Sequence, residues 1–555
     1  MSELLETTLG TALREQAAKR GNNEFIFFPN QNIRYTFGDI DKKADALAKG
    51  LLAAGFKKGS HIGIWAYNVP DWAPLFYAAA RVGVIVVPIN ANCKHKELAF
   101  VLGQADINGL FIVDRFRDAD YSEILYQLIP ELKTAPAGNL KSDTFPALRM
   151  VTNLDQTLHP GMYVLENLIK LGSSVDDTEL SQAEAQVSSA DVLCIMYTSG
   201  TTGIPKGAML THRNVINNAN YANRTGPNRA GVIYDSDVVL NPLPFFYVTS
   251  LTGGLVESLI YGFKVVVLEA FDPLRCLEFI QNEGCTWLFF VPTMYMALLY
   301  HPRFGEFSMK SVQFGCIGGA VCPPELMKTI ITRFGMKGIY LAYGLTETSP
   351  FITDVIAEDP DDPRLTTVGA PFPGVEVSIR DTTNRECPVN VPGEICARGH
   401  NVMKGYYKME EATREVIDQD GWFHTGDLGH LLPNGCLVID GRIKELIIRG
   451  GENIYPQEVE NLLRTMPGIQ DAQVAGIPSQ KYGEEVAAFI ILKPEAKGLG
   501  EQEVIEFCKE KISLYKTPRY VFFVDSFPLS GNGKVQKFRL GELGLKTVQE
   551  KGLAT

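Results

Sequence analysis

The 555-residue chain contains no CxxC pair and no histidine cluster at zinc-finger spacing, so its 10 cysteines and 8 histidines signal neither a disulfide framework nor a structural zinc site. A reducing compartment fits this pattern. No apolar run approaches the ~20 residues that span a bilayer; the longest, 82–89 and 285–291, fall far short. The first residues, MSELLETTLG, carry Glu3 and Glu6 and lack the apolar core of a signal peptide. Positive charge is also scarce: 52 Lys plus Arg against 64 Asp plus Glu leave a net −12, which disfavours nucleic acid or an anionic bilayer as the main partner. We expect a cytoplasmic protein with no integral membrane segment and no nucleic-acid partner, in which local donors hold any anionic ligand.

What is present is an ordinary globular mixture, 45% hydrophobic and 21% charged, with enough chain for about four structural units at roughly 150 residues each. Over the first 440 residues, helical patterns such as 41–54 alternate with short β-rich runs at 61–65, 83–88, 109–113, 192–197, 264–268, 287–291, 312–317 and 338–342. Such alternation predicts layered α/β structure with buried, mostly parallel sheets. After about Asp440 the pattern becomes a smaller α+β module. Its expected elements are strands at 444–449, 485–492 and 521–524, helices at 456–466 and 505–514, and a Gly-rich tail. Residues 133–147 read as a surface excursion, and the domain boundary is expected at 440–444.

The most informative stretch is YTSGTTGIPKG at 197–207. Gly200, Gly203 and Gly207 let backbone approach a ligand, Thr198, Ser199, Thr201 and Thr202 offer hydroxyls, and Lys206 offers positive charge, together a phosphate cradle. A Walker A loop is excluded, because Pro205 stands where that motif needs glycine and the following AMLTH reads as a second strand. The expected form is a strand, loop and strand. Four further motifs follow in order. Gly318-Gly319-Ala320 is a turn of small residues after a strand, and YGLTET at 343–348 presents an aromatic face, hydroxyls and a carboxylate. GWFHTGD at 421–427 ends in a carboxylate suited to a ribose diol, and SGNGKVQK at 530–537 presents Lys534 on a Gly-rich loop.

Together these motifs resemble the AMP-forming acyl-CoA synthetases of the ANL superfamily of adenylate-forming enzymes, and the resemblance covers nearly the whole chain. It implies a large N-terminal domain, 1–440, of layered α/β subdomains with a smaller β-rich subdomain. A small mobile C-terminal α+β lid, 441–555, would follow, with a hinge near Lys444. It implies that Tyr343 stacks on adenine against Gly318, Gly319 and Ala320, with Gly344 and Leu345 in the same turn. Thr346 would touch the α-phosphate, Glu347 would bind Mg²⁺, and Asp427 and Arg442 would hold ribose. Gly450 and Gly451 would approach pantetheine, and Lys534, ahead of Lys537, would bridge the substrate carboxylate and the α-phosphate. Trp422 is expected to pack and His424 to be structural.

The reaction so implied is ATP-dependent activation of a medium-chain fatty or aryl acid as acyl-AMP, then transfer to coenzyme A, with ATP, Mg²⁺ and CoA as cofactors and a homodimer left open. The alternatives are a catalytically silent acyl- or nucleotide-binding protein on the same fold, or an adenylating enzyme with another acyl acceptor. The acyl pocket is expected on NPLPFFYVTSL, 241–251, with Phe246, Tyr247, Leu251 and Gly318 joined by Phe351. Tyr247 stands where many members carry histidine, and Leu251 where some long-chain enzymes carry a tryptophan gate.

Overall fold

The computed structural model describes residues 4–198, 205–221, 234–319, 322, 324–357, 362–496, 498–529 and 535–552. Two compact units are formed: one of 1–377 with 397–423, the other of 378–396 with 424–555. The second unit thus begins earlier in sequence than the 440–444 region. The reason lies in hydrogen bonding, since the strand Phe423–Leu431 lies between Gly393–Gly399 and Leu437–Arg442 in a small four-stranded sheet.

The first unit is built on two large sheets. One has nine strands with a parallel centre, in which Gly338–Tyr343, Phe314–Ile317, Trp287–Phe290, Val238–Asn241 and Lys264–Val267 are successive neighbours. The other has eight strands, with Val192–Thr198, Ile85–Ile89, His61–Trp65 and Gly109–Ile112 side by side. His61–Trp65 is an interior strand with parallel neighbours on both sides and is buried at every position, as expected where layers cover both faces of a sheet, so after His61 its sequence shows no polar alternation. Helices supply the other layers. Phe37–Ala53 starts before the expected 41 because Thr36 and Asp39 form a reciprocal cap, and it buries Ile40, Ala44, Leu47, Ala48 and Leu51 on one face.

In the second unit, the long hairpin Ile469–Ser479 and Gly483–Leu492 forms the centre, with Tyr520–Phe523 parallel to its second strand. Val459, Leu463, Val474, Val486, Val504 and Val521 share its core. Three expectations are corrected here. The strand expected at 444–449 is confined to Ile447–Arg449, because Ile443–Glu445 turn as a 3₁₀ helix. The helix expected at 505–514 runs Glu501–Lys509, its start fixed by Gly500 N–H donating to Glu503 Oε2 at 2.8 Å. The Gly-rich tail contains a 14-residue helix, Lys537–Glu550. Its glycines serve packing: a Cβ on Gly544 would fall 2.6 Å from Ile477 Cδ1, so glycine lets this helix lie close on the sheet.

Candidate active site

The phosphate-loop motif closes an antiparallel hairpin. Val192–Thr198 pairs with Lys206–Thr211, and Thr198 opposite Lys206 is the last pair before the loop. Ser199, Gly200, Thr201, Thr202 and Gly203 lie outside the described residues. The strand bearing Lys206 is held from its other side by Gly405–Tyr406, with Ala208 opposite Tyr406. The Lys206 ammonium sits 5.1 Å from the centroid of the Tyr406 ring. Gln104 braces both strands: its amide oxygen accepts from Tyr197 Oη and its Nε2 donates to the Tyr407 carbonyl.

Strand order explains why the next two motifs meet. Phe314–Ile317 and Gly338–Tyr343 are parallel neighbours, Ile317 opposite Leu341, so Gly318-Gly319 and Tyr343-Gly344 leave the sheet at the same carboxyl edge. Ligands of open α/β sheets are bound at such edges. Gly319 has φ +79° and Gly344 admits no side chain, since a Cβ there would fall 1.8 Å from the Pro350 carbonyl oxygen. Ala320 lies outside the described residues. After Leu345, Thr346–Thr348 form a 3₁₀ turn that places Glu347 inward, 8% exposed. Tyr406 Oη donates to Glu347 Oε1 at 2.8 Å, and Met403 N–H donates to the Glu347 carbonyl at 2.8 Å. Burial and the adjacent Glu347 carboxylate push the Tyr406 phenol far up, so it stays a donor. Sequence reading had passed over Tyr406, whose only signal is a pair of tyrosines in MKGYYK.

The expected acyl segment is largely buried. Phe245, Phe246, Val248, Leu251 and Phe351 are all under 9% exposed. Tyr247 packs on Phe246 with ring centroids 4.7 Å apart, and its phenol is pushed up to about 12, chiefly by burial. Asn218 clamps Phe351 by accepting from its N–H at 3.1 Å and donating to its carbonyl at 2.8 Å. Helical residues after Tyr247 pass into a π-helical turn, Leu251–Val256, a feature frequent at functional sites. Gly253 faces Phe289 there, where a Cβ would meet the ring at 2.6 Å. Just beyond, Glu257 is fully buried; desolvation, then the charge of Asp354, hold its carboxyl well above the ordinary range. Tyr340 Oη donates to Asp354 Oδ2. No periodicity announced this polar group, because its members come from a helix and two strands.

Most residues of the remaining motifs fall in the second unit. Asp427 and Arg442 face each other across paired strands, and Arg442 Nε lies 3.0 Å from Asp427 Oδ1. His424 Nδ1 lies 2.8 Å from Glu394 Oε2. The other Glu394 oxygen accepts from Gly426 N–H at 3.0 Å, so Glu394 shapes the turn leading to Asp427. Trp422, in the first unit, packs under Arg398 at 4.5 Å. Lys444 lies in the 3₁₀ turn Ile443–Glu445, while Gly450 and Gly451 adopt φ +61° and +89°. Lys537 is committed elsewhere, to Glu445 at 3.0 Å and Glu460 at 2.8 Å. Lys534 lies outside the described residues.

Comparison with known proteins identifies the family. The chain matches the AMP-binding enzyme family over residues 13–407 and the AMP-binding enzyme C-terminal domain over 458–534. It is 40% identical over 550 residues to YngI of Bacillus subtilis (strain 168), which carries an acyl-CoA synthetase name, covering 99% of this chain and 98% of YngI. It is 37% identical over 553 residues to the mitochondrial medium-chain acyl-CoA ligase ACSF2 of Danio rerio, covering 99% and 90% of the two chains. Among solved structures, the o-succinylbenzoate CoA synthetase MenE of Bacillus subtilis, in complex with its acyl-adenylate intermediate, superimposes with TM-score 0.76 at 26% identity, covering 97% and 98%. The chain belongs to the AMP-binding enzyme family, among its adenylate-forming acyl-CoA synthetases and ligases.

Proposed function

We propose that this enzyme activates a medium-chain fatty or aryl carboxylic acid as the acyl-adenylate, releasing pyrophosphate from ATP, and then passes the acyl group to coenzyme A with AMP as leaving group. One observation carries this reading. Tyr406 joins the strand presenting Lys206 to the turn presenting Glu347, which puts a phosphate-seeking cation and a carboxylate on one support.

A carboxylate is a poor electrophile, because its leaving group would be oxide; attack on the α-phosphate converts that oxygen into part of AMP. Tyr343 holds adenine against Gly318 and Gly319, Asp427 holds the ribose with Arg442 beside it, and Lys206 with the hairpin loop holds the phosphates. Thr346 offers its hydroxyl to the α-phosphate. Glu347 fits a hard divalent cation, since it presents a buried carboxylate with Tyr406 donating to only one of its oxygens. Bound there, Mg²⁺ shields the charge of the triphosphate. Lys534 neutralises the encounter of two anions, a placement worth about 3 kcal/mol of barrier. The CoA thiol then attacks the adenylate beside Gly450 and Gly451, AMP leaving, and no protein cysteine takes part.

The choice of acid is supported by the expected acyl segment and by the names of relatives. Phe246, Tyr247, Leu251 and Phe351 offer an apolar, partly aromatic lining, and the ACSF2 proteins are named medium-chain acyl-CoA ligases. The composition supports work in the cytoplasm, and among the described residues no helix is long and apolar enough to cross a membrane. The deciding experiment measures pyrophosphate release with acetate, C6–C12 fatty acids and benzoates, with and without CoA. We expect turnover with a medium-chain or aryl acid and full thioester formation with CoA. Absence of pyrophosphate across the panel would leave a silent binding protein.

A further inference from the structure

The Tyr406 side chain contacts two opposite charges. Its ring lies under the Lys206 ammonium and its hydroxyl donates to Glu347, and among the described residues Lys206 and Glu347 make no direct ion pair. Both ends of this contact are built in. Tyr406 is 6% exposed and Glu347 8%. The backbone holds them too: Met403 N–H donates to the Glu347 carbonyl, Lys404 N–H to the Met209 carbonyl and Tyr407 N–H to the Gly207 carbonyl. The segment 403–407 therefore ties the strand of Lys206 to the turn of Glu347.

We propose that Tyr406 is a positioning residue for the nucleotide site: its hydroxyl fixes Glu347 for a divalent cation, and its ring keeps the Lys206 ammonium from closing onto that carboxylate before ATP arrives. This rests on the reading of Glu347 as the metal carboxylate and of Lys206 as a phosphate contact. The two parts of the side chain have separable tasks. Donation to one carboxylate oxygen orients the other outward as a ligand, and partners of this kind are worth roughly 10- to 100-fold in metal affinity. The ring acts as a spacer. Without it, an ammonium and a carboxylate on adjoining elements would pair, and each would have to be pulled from the other before binding phosphate or cation.

The test is the affinity for ATP measured by calorimetry with Mg²⁺ and again in EDTA, in the absence of acid and CoA, so that the readout is binding and not turnover. The ratio of the two affinities reports the metal contribution. Tyr406→Phe keeps the spacer and should lower that ratio about tenfold while ATP affinity in EDTA stays near wild type. Tyr406→Leu should in addition weaken ATP binding in EDTA. That second loss should vanish in a Lys206→Met background, where no ammonium remains to close onto Glu347. A fall in Tm with an unchanged ratio in Tyr406→Phe would mean a purely structural residue and would overturn the proposal. Glu347→Gln separates the two ways of failing. If it removes the Mg²⁺ dependence and Tyr406→Phe does not, the role of Tyr406 is wrong; if it leaves the dependence intact, Glu347 is not the metal carboxylate and the proposal falls with that reading.

Discussion

Lys537 Nζ lies 2.8 Å from Glu460 Oε1, and the same carboxylate oxygen accepts the Val474 N–H at 2.9 Å. Burial lowers the Lys537 ammonium, but Glu460 and Glu445 outweigh it and hold its pKa above the ordinary value. A lysine held this way is a structural cation joining the start of the C-terminal helix to Pro456–Arg464 and to the turn at Glu445.

Removing one member of such a buried pair leaves the others uncompensated, at a cost of about 3–5 kcal/mol. Lys537→Met should therefore lower the urea midpoint substantially, while its remaining folded fraction still forms adenylate. Loss of adenylation with unchanged stability would instead make Lys537 the adenylation lysine.

Lys534 and Lys444 should separate the two half-reactions. Lys534→Ala is expected to abolish adenylate formation yet convert supplied acyl-adenylate to thioester. Lys444→Pro, with φ locked near about −65°, should keep adenylation and lose thioester formation. Rapid-quench assay of each step checks this, and equal loss of both steps in both variants would sink the division of labour.

Leu251→Trp should shorten the preferred acid. One methylene in an apolar pocket is worth ~1–3 kcal/mol, so kcat/KM across a C4–C12 series should shift its maximum by at least two carbons. An unshifted profile would remove the segment after Tyr247 from the pocket.

Glu257 gives a pH prediction. Burial, then the charge of Asp354, raise its carboxyl well above its ordinary 4.5 in the folded protein, so the folded state keeps this proton to higher pH than the unfolded chain does. The unfolded state thus binds fewer protons above pH ~4.5, and this group's contribution to stability falls as pH rises, by up to about 1.4 kcal/mol per unit, until the folded pKa is reached. Glu257→Gln keeps the shape and removes the titration. Urea unfolding from pH 5 to 8 should show a gain in stability for the variant that grows with pH; parallel curves would contradict the assignment.

The strands of the parallel sheets were legible because a strand buried on both faces is mostly apolar, and residues 62–65 run so without alternation, His61 being buried with its ring nitrogen on the Ala105 carbonyl. The hairpin of Lys206 was legible because Pro205 excluded a Walker loop and AMLT alternates into a second strand. The C-terminal helix was not, because the segment reads as a Gly-rich tail, and only the sheet beneath Gly544 shows why a side chain cannot stand there.

By itself the sequence determined the family motifs and so the candidate groups, since each motif concentrates hydroxyls, a carboxylate or a lysine within a few residues, and local concentration is what a one-dimensional pattern can display. Only the tertiary structure decided how those groups are held. Tyr406 reaches Glu347 across 59 positions, Glu394 reaches Gly426 across 32, and Lys537 reaches Glu460 across 77, from 537 − 460. Contacts of that span are set by which strands pair and which helices cover them, and no local propensity encodes them.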